Sequence, residues 1–131
     1  MPKQEFKFIN NKIIQGKEDK YLNVHVSAAD VLKSWKDSVF SFEWLKADGS
    51  VKPIEALNES EKTKRECVEH DLSDGKALET PILGIGLMEN IEIGAGRAIF
   101  LTLCDKGAQT IPVHIPKSNE SDFAKFITTQ D

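Results

Sequence analysis

"GAGRAIFLTLCDKGAQTIPV", residues 94–113, decides how the second half of this 131-residue chain is read. Periodicity alone leaves its centre open. Ile99, Leu101 and Leu103 alternate as in a strand, while Ile99, Phe100 and Leu103 share one helix face. Punctuation favours the helix, because Gly96 suits its start and Lys106-Gly107 its end. A helix over 97–106 then leads through a short loop into a strand over Ile111–Ile115. Backbone N–H groups at such a helix start have no intrahelical partner and lie at the positive end of the dipole, so a phosphate is favoured there. Arg97 adds a forked cation at the same point. The competing reading gives Gly94 and Gly96 a purely backbone-shaping role. The dinucleotide fingerprint G-x-G-x-x-G fails at Glu89 and Ile99, and there is no G-K-[ST] of a P-loop.

Upstream of the turn, Leu83, Ile85, Leu87, Ile91 and Ile93 take alternate positions, with Glu89-Asn90 as a bend between two strands. Downstream, Asn119 and Asp122 announce a last helix whose stripe is Phe123, Phe126 and Ile127. In the first half, residues 5–15 read as a small hairpin turning at Asn10-Asn11, part of an N-terminal extension over residues 1–20. Leu22, Val24 and Val26 alternate with Asn23 and His25, as in a half-buried strand. Ser27 and Asp30 form a capping box, Val26 and Val31 a hydrophobic staple, and Val31, Trp35 and Val39 the stripe of the helix that follows. Asp48-Gly49 marks a turn between extended arms. Asn58 with Glu61 caps a charged helix running to Asp74, where Gly75 stops it. Its charges pair at i,i+4 (Glu61–Arg65, Lys62–Glu66, Arg65–Glu69), which leaves Cys67, Val68 and Leu72 as the packing edge. The expectation is one α+β domain over residues 1–131, with a mixed sheet and three or four helices.

Apolar residues make up 40% of the chain and charged residues 29%, a globular balance. A net charge of −4 disfavours a broad nucleic-acid-binding surface, since neutralising many phosphates needs clustered Lys and Arg. Cys67 and Cys104 show no framework spacing, and the N-terminal MPKQEFKFINNKII has no signal-peptide core. No apolar run approaches a membrane span, so a reduced, cytoplasmic protein without membrane contact is expected.

The order of residues 79–115, "ETPILGIGLMENIEIGAGRAIFLTLCDKGAQTIPVHI", resembles the core of the ParB/sulfiredoxin-like superfamily. That core has a Pro-led strand and short hairpin, a G-x-x-R turn opening a helix, a glycine, and a closing strand that begins [IV]-P-[VA]. The strand and capped helix of LNVHVSAADVLKSW fit the element that precedes it. Two registers compete. Gly94-Ala95-Gly96-Arg97 satisfies G-x-x-R literally and makes the helix about two residues longer than usual for the family. Anchoring on Gly107 and Ile111-Pro112-Val113 restores the spacing, but puts Ala98 and Ile99 where members carry His and Arg. Neither register places a cysteine in the turn, so sulfiredoxin activity is not expected. Cys104 reads as a buried, inert thiol.

The resemblance implies a binding or regulatory module of a plasmid- or phage-type system. It would hold a nucleotide (ATP or CTP, with Mg²⁺) or a nucleic-acid phosphate at Gly94, Gly96 and Arg97, although the net charge does not favour DNA. An enzyme is the first alternative: a ParB-like nuclease or nucleotide hydrolase with Arg97 on phosphate and Glu92 or Glu89 holding a divalent cation. By alternation from Ile93, Glu92 points away from the core. The second alternative is a protein-interaction domain with no ligand. Cys67 and His70 are spaced like two ligands on a helix, but His25, Cys104 and His114 are too scattered to complete a zinc site. His114, alternating with Val113 and Ile115, reads as a surface histidine, while Trp35 and Trp44 read as core.

Overall fold

A computed structural model describes residues 7–86 and 89–128. In chain order the elements are β1 (Phe8–Ile9), β2 (Tyr21–Ser27), α1 (Ala28–Trp35), α2 (Glu59–Ser73), β3 (Leu78–Glu79), β4 (Leu83–Ile85), β5 (Ile91–Ile93), α3 (Arg97–Asp105), β6 (Thr110–Pro116) and α4 (Glu120–Phe123). The described residues thus form an α+β arrangement of four helices and small sheets. β1 pairs with β3 in parallel, β2 with β6 antiparallel, and β4 with β5 antiparallel. Among the described residues, three two-stranded sheets stand in place of one continuous mixed sheet, and two of them are joined by a parallel bridge between Ile82 and His114.

Local chemistry explains most of the boundaries. The Ser27 hydroxyl accepts the Asp30 N–H (3.3 Å) and starts α1, while Val26 and Val31 are both fully buried. Asn58 Oδ1 accepts the Glu61 N–H (3.0 Å) and starts α2. Gly75, with φ of +70°, ends that helix in the left-handed conformation that glycine enters without strain. Around Asp48-Gly49 the chain reverses, with Leu45 bridging to Val51. Glu89, with φ of +59°, makes the bend between β4 and β5; Leu87, placed in that alternation, lies outside the described residues.

One contiguous apolar cluster runs from Val26 to Phe126 and takes in Trp35, Trp44, Leu83, Ile91, Ile93, Phe100, Leu101, Leu103, Ile111, Val113 and Ile115. Four consecutive residues of α3, Phe100 to Leu103, are buried, so α3 is a core helix flanked by strands.

Four local expectations are corrected. The hairpin at Asn10-Asn11 is absent over residues 7–15; its Glu5 and Phe6 lie outside the described residues. Asn11 instead caps a single helical turn, Lys12–Ile14, accepting the Ile13 N–H at 3.0 Å, and β1 pairs with a strand some seventy residues away. Val39 does not continue the α1 stripe, because the helix ends at Trp35, and it is 75% exposed. On α2 the buried edge is Glu61, Arg65 and Val68, whereas Cys67 is exposed. Arg65 survives there because its Nη2 pairs with Asp105 of α3 (2.6 Å) and Glu69 (3.3 Å). Last, His114 is fully buried, since a second segment covers the face of β6 on which it stands.

α4 is only four residues long and has no side-chain bond to its first N–H groups, although Asn119 Nδ2 donates to Asp122 (3.1 Å). The expected stripe is therefore not a helical one: Phe123 and Phe126 are both buried, but the helix ends at Phe123, Phe126 lies in the turn that follows, and Ile127 bridges to Val26.

Candidate functional site

Residues 78–85 carry three partners in succession: β1 at the start, β6 at Ile82 and β5 at the end. β5 then delivers the chain into Gly94-Ala95-Gly96. The Gly94 N–H donates to Ile82 O and the Ile82 N–H to Ala95 O, both at 2.9 Å, so the turn is sewn to the strand beside it. Gly96 sits at φ of +80°, and a Cβ there would lie 2.9 Å from Pro81 Cα. Glycine is therefore required twice over, by conformation and by contact. At Gly94 a Cβ would meet Ile82 O at 3.4 Å, a tight fit only.

α3 starts from Gly96 with no side-chain cap and no acid in its first turn. The Phe100 N–H closes the first turn onto Gly96 O (2.9 Å). The N–H groups before it have no carbonyl within the helix to bond. The residues that carry them, Gly96 to Ile99, line a groove of about 700 Å³ between α2, the N-terminal segment and the start of α3. Gly94 to Ile99 form one wall, Asn11, Lys12 and Ile13 a second, and Glu61, Lys64, Cys67, Val68 and Asp71 a third. Both registers of the turn thus reach the same groove, since Arg97, Ala98 and Ile99 all line it.

Arg97 is engaged by its own chain. Its Nε and Nη2 donate to Ile93 O at 3.3 and 3.2 Å, and Nη1 meets Glu43 Oε1 at 3.5 Å. The guanidinium lies over the Trp35 ring (5.6 Å to its centroid) and the Phe40 ring (5.2 Å). Such stacking suits arginine's flat, weakly hydrated cation. Glu92 is also occupied, accepting from the Ser38 hydroxyl (2.7 Å) and from Asn90 Nδ2 (3.0 Å). Glu92 and Glu89 are not among the residues that line the groove. The structure therefore brings Gly94, Gly96 and Arg97 together and leaves Glu92 apart from them.

Among the described residues, three acids line the groove, each with a partner: Asp71 lies 3.9 Å from Lys76 Nζ, and Glu79 accepts the Lys12 N–H (3.0 Å). Glu61 accepts from the Trp44 indole (2.8 Å) and from Lys64 Nζ (3.1 Å). Burial works against its charge, but those two bonds and the charges of Lys64 and Arg97 prevail and hold its carboxyl below the usual range. Behind α2, the Lys106 ammonium beside Glu69 (2.7 Å) lowers that carboxyl as well. Burial pushes the Cys104 thiol up to about 12, which leaves it protonated and inert. Among the described residues, no group of three or more His, Cys, Asp or Glu side chains is gathered where it could hold a metal ion.

Lys12 and Lys64 escaped the sequence reading. Each is one lysine among many, and only the fold carries both to the mouth of α3. No helix among the described residues is long and apolar enough to cross a membrane. Compared with known protein families, curated proteins and solved structures, the chain matches none of them.

Proposed function

We propose that this chain is a small binding module of ParB/sulfiredoxin-like type that takes a phosphate group at the start of α3. The observation that carries this reading is the bare helix start. α1 and α2 close their first turns with Ser27 and Asn58, while α3 offers only Gly96 and opens onto a groove edged by Lys12 and Lys64. An anion there would accept from backbone N–H groups and gain from the dipole and the two ammonium groups. A nucleotide such as ATP or CTP would bring its own Mg²⁺, and the apolar side chains of Ile13, Val68 and Ile99 give the groove surface for the rest of such a ligand. With Arg97 held by Ile93, Glu43 and two aromatic rings, it fixes the shape of the seat, and the backbone and lysines do the binding.

The test is titration of inorganic phosphate, ATP and CTP, with and without Mg²⁺, into the wild type and a Lys12→Ala/Lys64→Ala variant, following amide shifts and melting temperature. A saturable shift at Gly96–Ile99, weakened roughly tenfold in the variant, supports the seat. A wild type unmoved by all three at millimolar concentration rejects it.

A second reading, a protein-interaction domain, draws on the loop after α1. Val39, Phe40 and Phe42 are 75%, 48% and 68% exposed, a concentration of apolar surface that water does not favour. Val39→Ser/Phe42→Ser should leave phosphate binding intact and abolish any association that depends on this loop.

A further inference from the structure

β6 has two faces. Ile111, Val113 and Ile115 enter the core, while His114 stands on the other side and is nonetheless fully buried. Its cover comes from the opposite end of the chain. The Asn11 N–H donates to His114 Nε2 at 3.1 Å across 103 positions of sequence. The Asn11 side chain fixes the same segment, with Nδ2 donating to Thr80 O (3.1 Å) and Oδ1 accepting from the Ile13 N–H (3.0 Å). On β2, Asn23 Oδ1 faces His114 Nδ1 at hydrogen-bond distance. A neutral imidazole has one donor and one acceptor nitrogen. With Nε2 accepting from Asn11, the proton belongs on Nδ1 and is donated to Asn23. A second proton would turn Nε2 into a donor facing the Asn11 N–H, two donors head to head in a buried site.

We propose that His114 is a proton-operated latch: neutral, it holds the N-terminal segment around Asn11 against β6, and protonated, it releases that segment. Asn11, Lys12 and Ile13 form one wall of the groove at α3, so release opens the groove from that side. The latch does not depend on what occupies the groove.

The surroundings give the added charge no compensation. Both ring nitrogens are taken by uncharged partners. β6 has no other ionisable residue between Thr110 and Pro116. The ionisable neighbours on the packed segments are Tyr21 and His25 on β2, Glu79 just before Thr80, and Lys12, whose backbone N–H is bonded to Glu79 Oε2 (3.0 Å). Burial pushes His114 below its ordinary value of 6.5. The released state therefore binds protons more readily than the latched one. Docking is at full strength above the ordinary value and is lost as pH falls through the depressed midpoint.

The test follows the His114 ring signals and backbone amide exchange of the full chain across the histidine range, roughly pH 8 to 4.5. His114 is expected to titrate below 6.5. Exchange at Asn11, Ile13 and Ile14, corrected for its intrinsic pH dependence, should accelerate about tenfold or more with the same midpoint. Amides of Phe100 and Leu101 should stay protected through that step. In His114→Gln, a neutral side chain with one acceptor and one donor end, the acid-induced step should vanish. Three results overturn the latch: an ordinary His114 midpoint, acceleration at Asn11 unlinked to the ring, or equal acceleration in α3, which would mean global unfolding. The wild-type measurement decides the matter even if the variant fails to fold.

Discussion

α2 and α3 begin in opposite ways. At α2 the Asn58 side chain takes the Glu61 N–H, and Glu59 and Glu61 set negative charge against the positive end of the helix. At α3 there is neither a capping side chain nor an acid, only Gly96 pressed in a left-handed conformation against Pro81. The first start is satisfied by side-chain chemistry. The second is shaped by backbone geometry, and its first-turn residues line a groove to which Lys12 and Lys64 also contribute. A glycine that the backbone demands and a seat that an anion fits are compatible, because the same missing side chain serves both.

Substitutions at the two starts separate these roles. Gly96→Ala is expected to have the largest effect, a loss of roughly 2–4 kcal/mol, since it combines left-handed strain with a contact that backbone cannot easily relieve. Chemical denaturation measures it, and a loss close to that of an ordinary surface substitution would show that the turn adapts. Arg97→Ala comes next, at about 1–3 kcal/mol, because it uncovers Trp35 and leaves the part-buried Glu43 without its partner. Asn58→Ala should cost about 1 kcal/mol at α2, the usual worth of a cap, and leave phosphate binding unchanged. Lys64→Ala should move stability least, by under roughly 0.5 kcal/mol, because its ammonium is largely exposed. It should nevertheless weaken phosphate binding about two- to fivefold, as a calorimetric titration would show. If Lys64→Ala and Asn58→Ala changed phosphate affinity equally, the contrast between the two starts would fail.

The difference also explains what the sequence makes legible. The caps at Ser27 and Asn58, the glycine stops and the strand–turn–helix–strand order of residues 79–115 are local, and local patterns carry them. The buried faces are not local. Alternation assigns Val113 and Ile115 to the core and so puts His114 outside, and no pattern in residues 110–116 reveals that Asn11 lies over it. The charge run of α2 reads as solvated because Arg65 finds Asp105 only once α3 is packed beside it. Asn10-Asn11 has turn chemistry, but the strand before it, Phe8–Ile9, pairs with Leu78–Glu79, out of reach of any short-range reading. At the candidate site the same division holds. Gly94, Gly96 and Arg97 are legible as a turn, while the aromatic stack on Arg97 and the approach of Lys12 and Lys64 are products of tertiary packing.

The most direct measurement is a two-dimensional amide spectrum recorded while inorganic phosphate, then CTP and ATP, are added to the wild-type chain, with the first turn of α2 as internal control. Saturable shifts are expected at Gly96, Arg97, Ala98 and Ile99 and none at Glu59, Ser60 and Glu61. Equal, non-saturating shifts at both helix starts, or none at α3 up to millimolar ligand, would contradict the proposed seat.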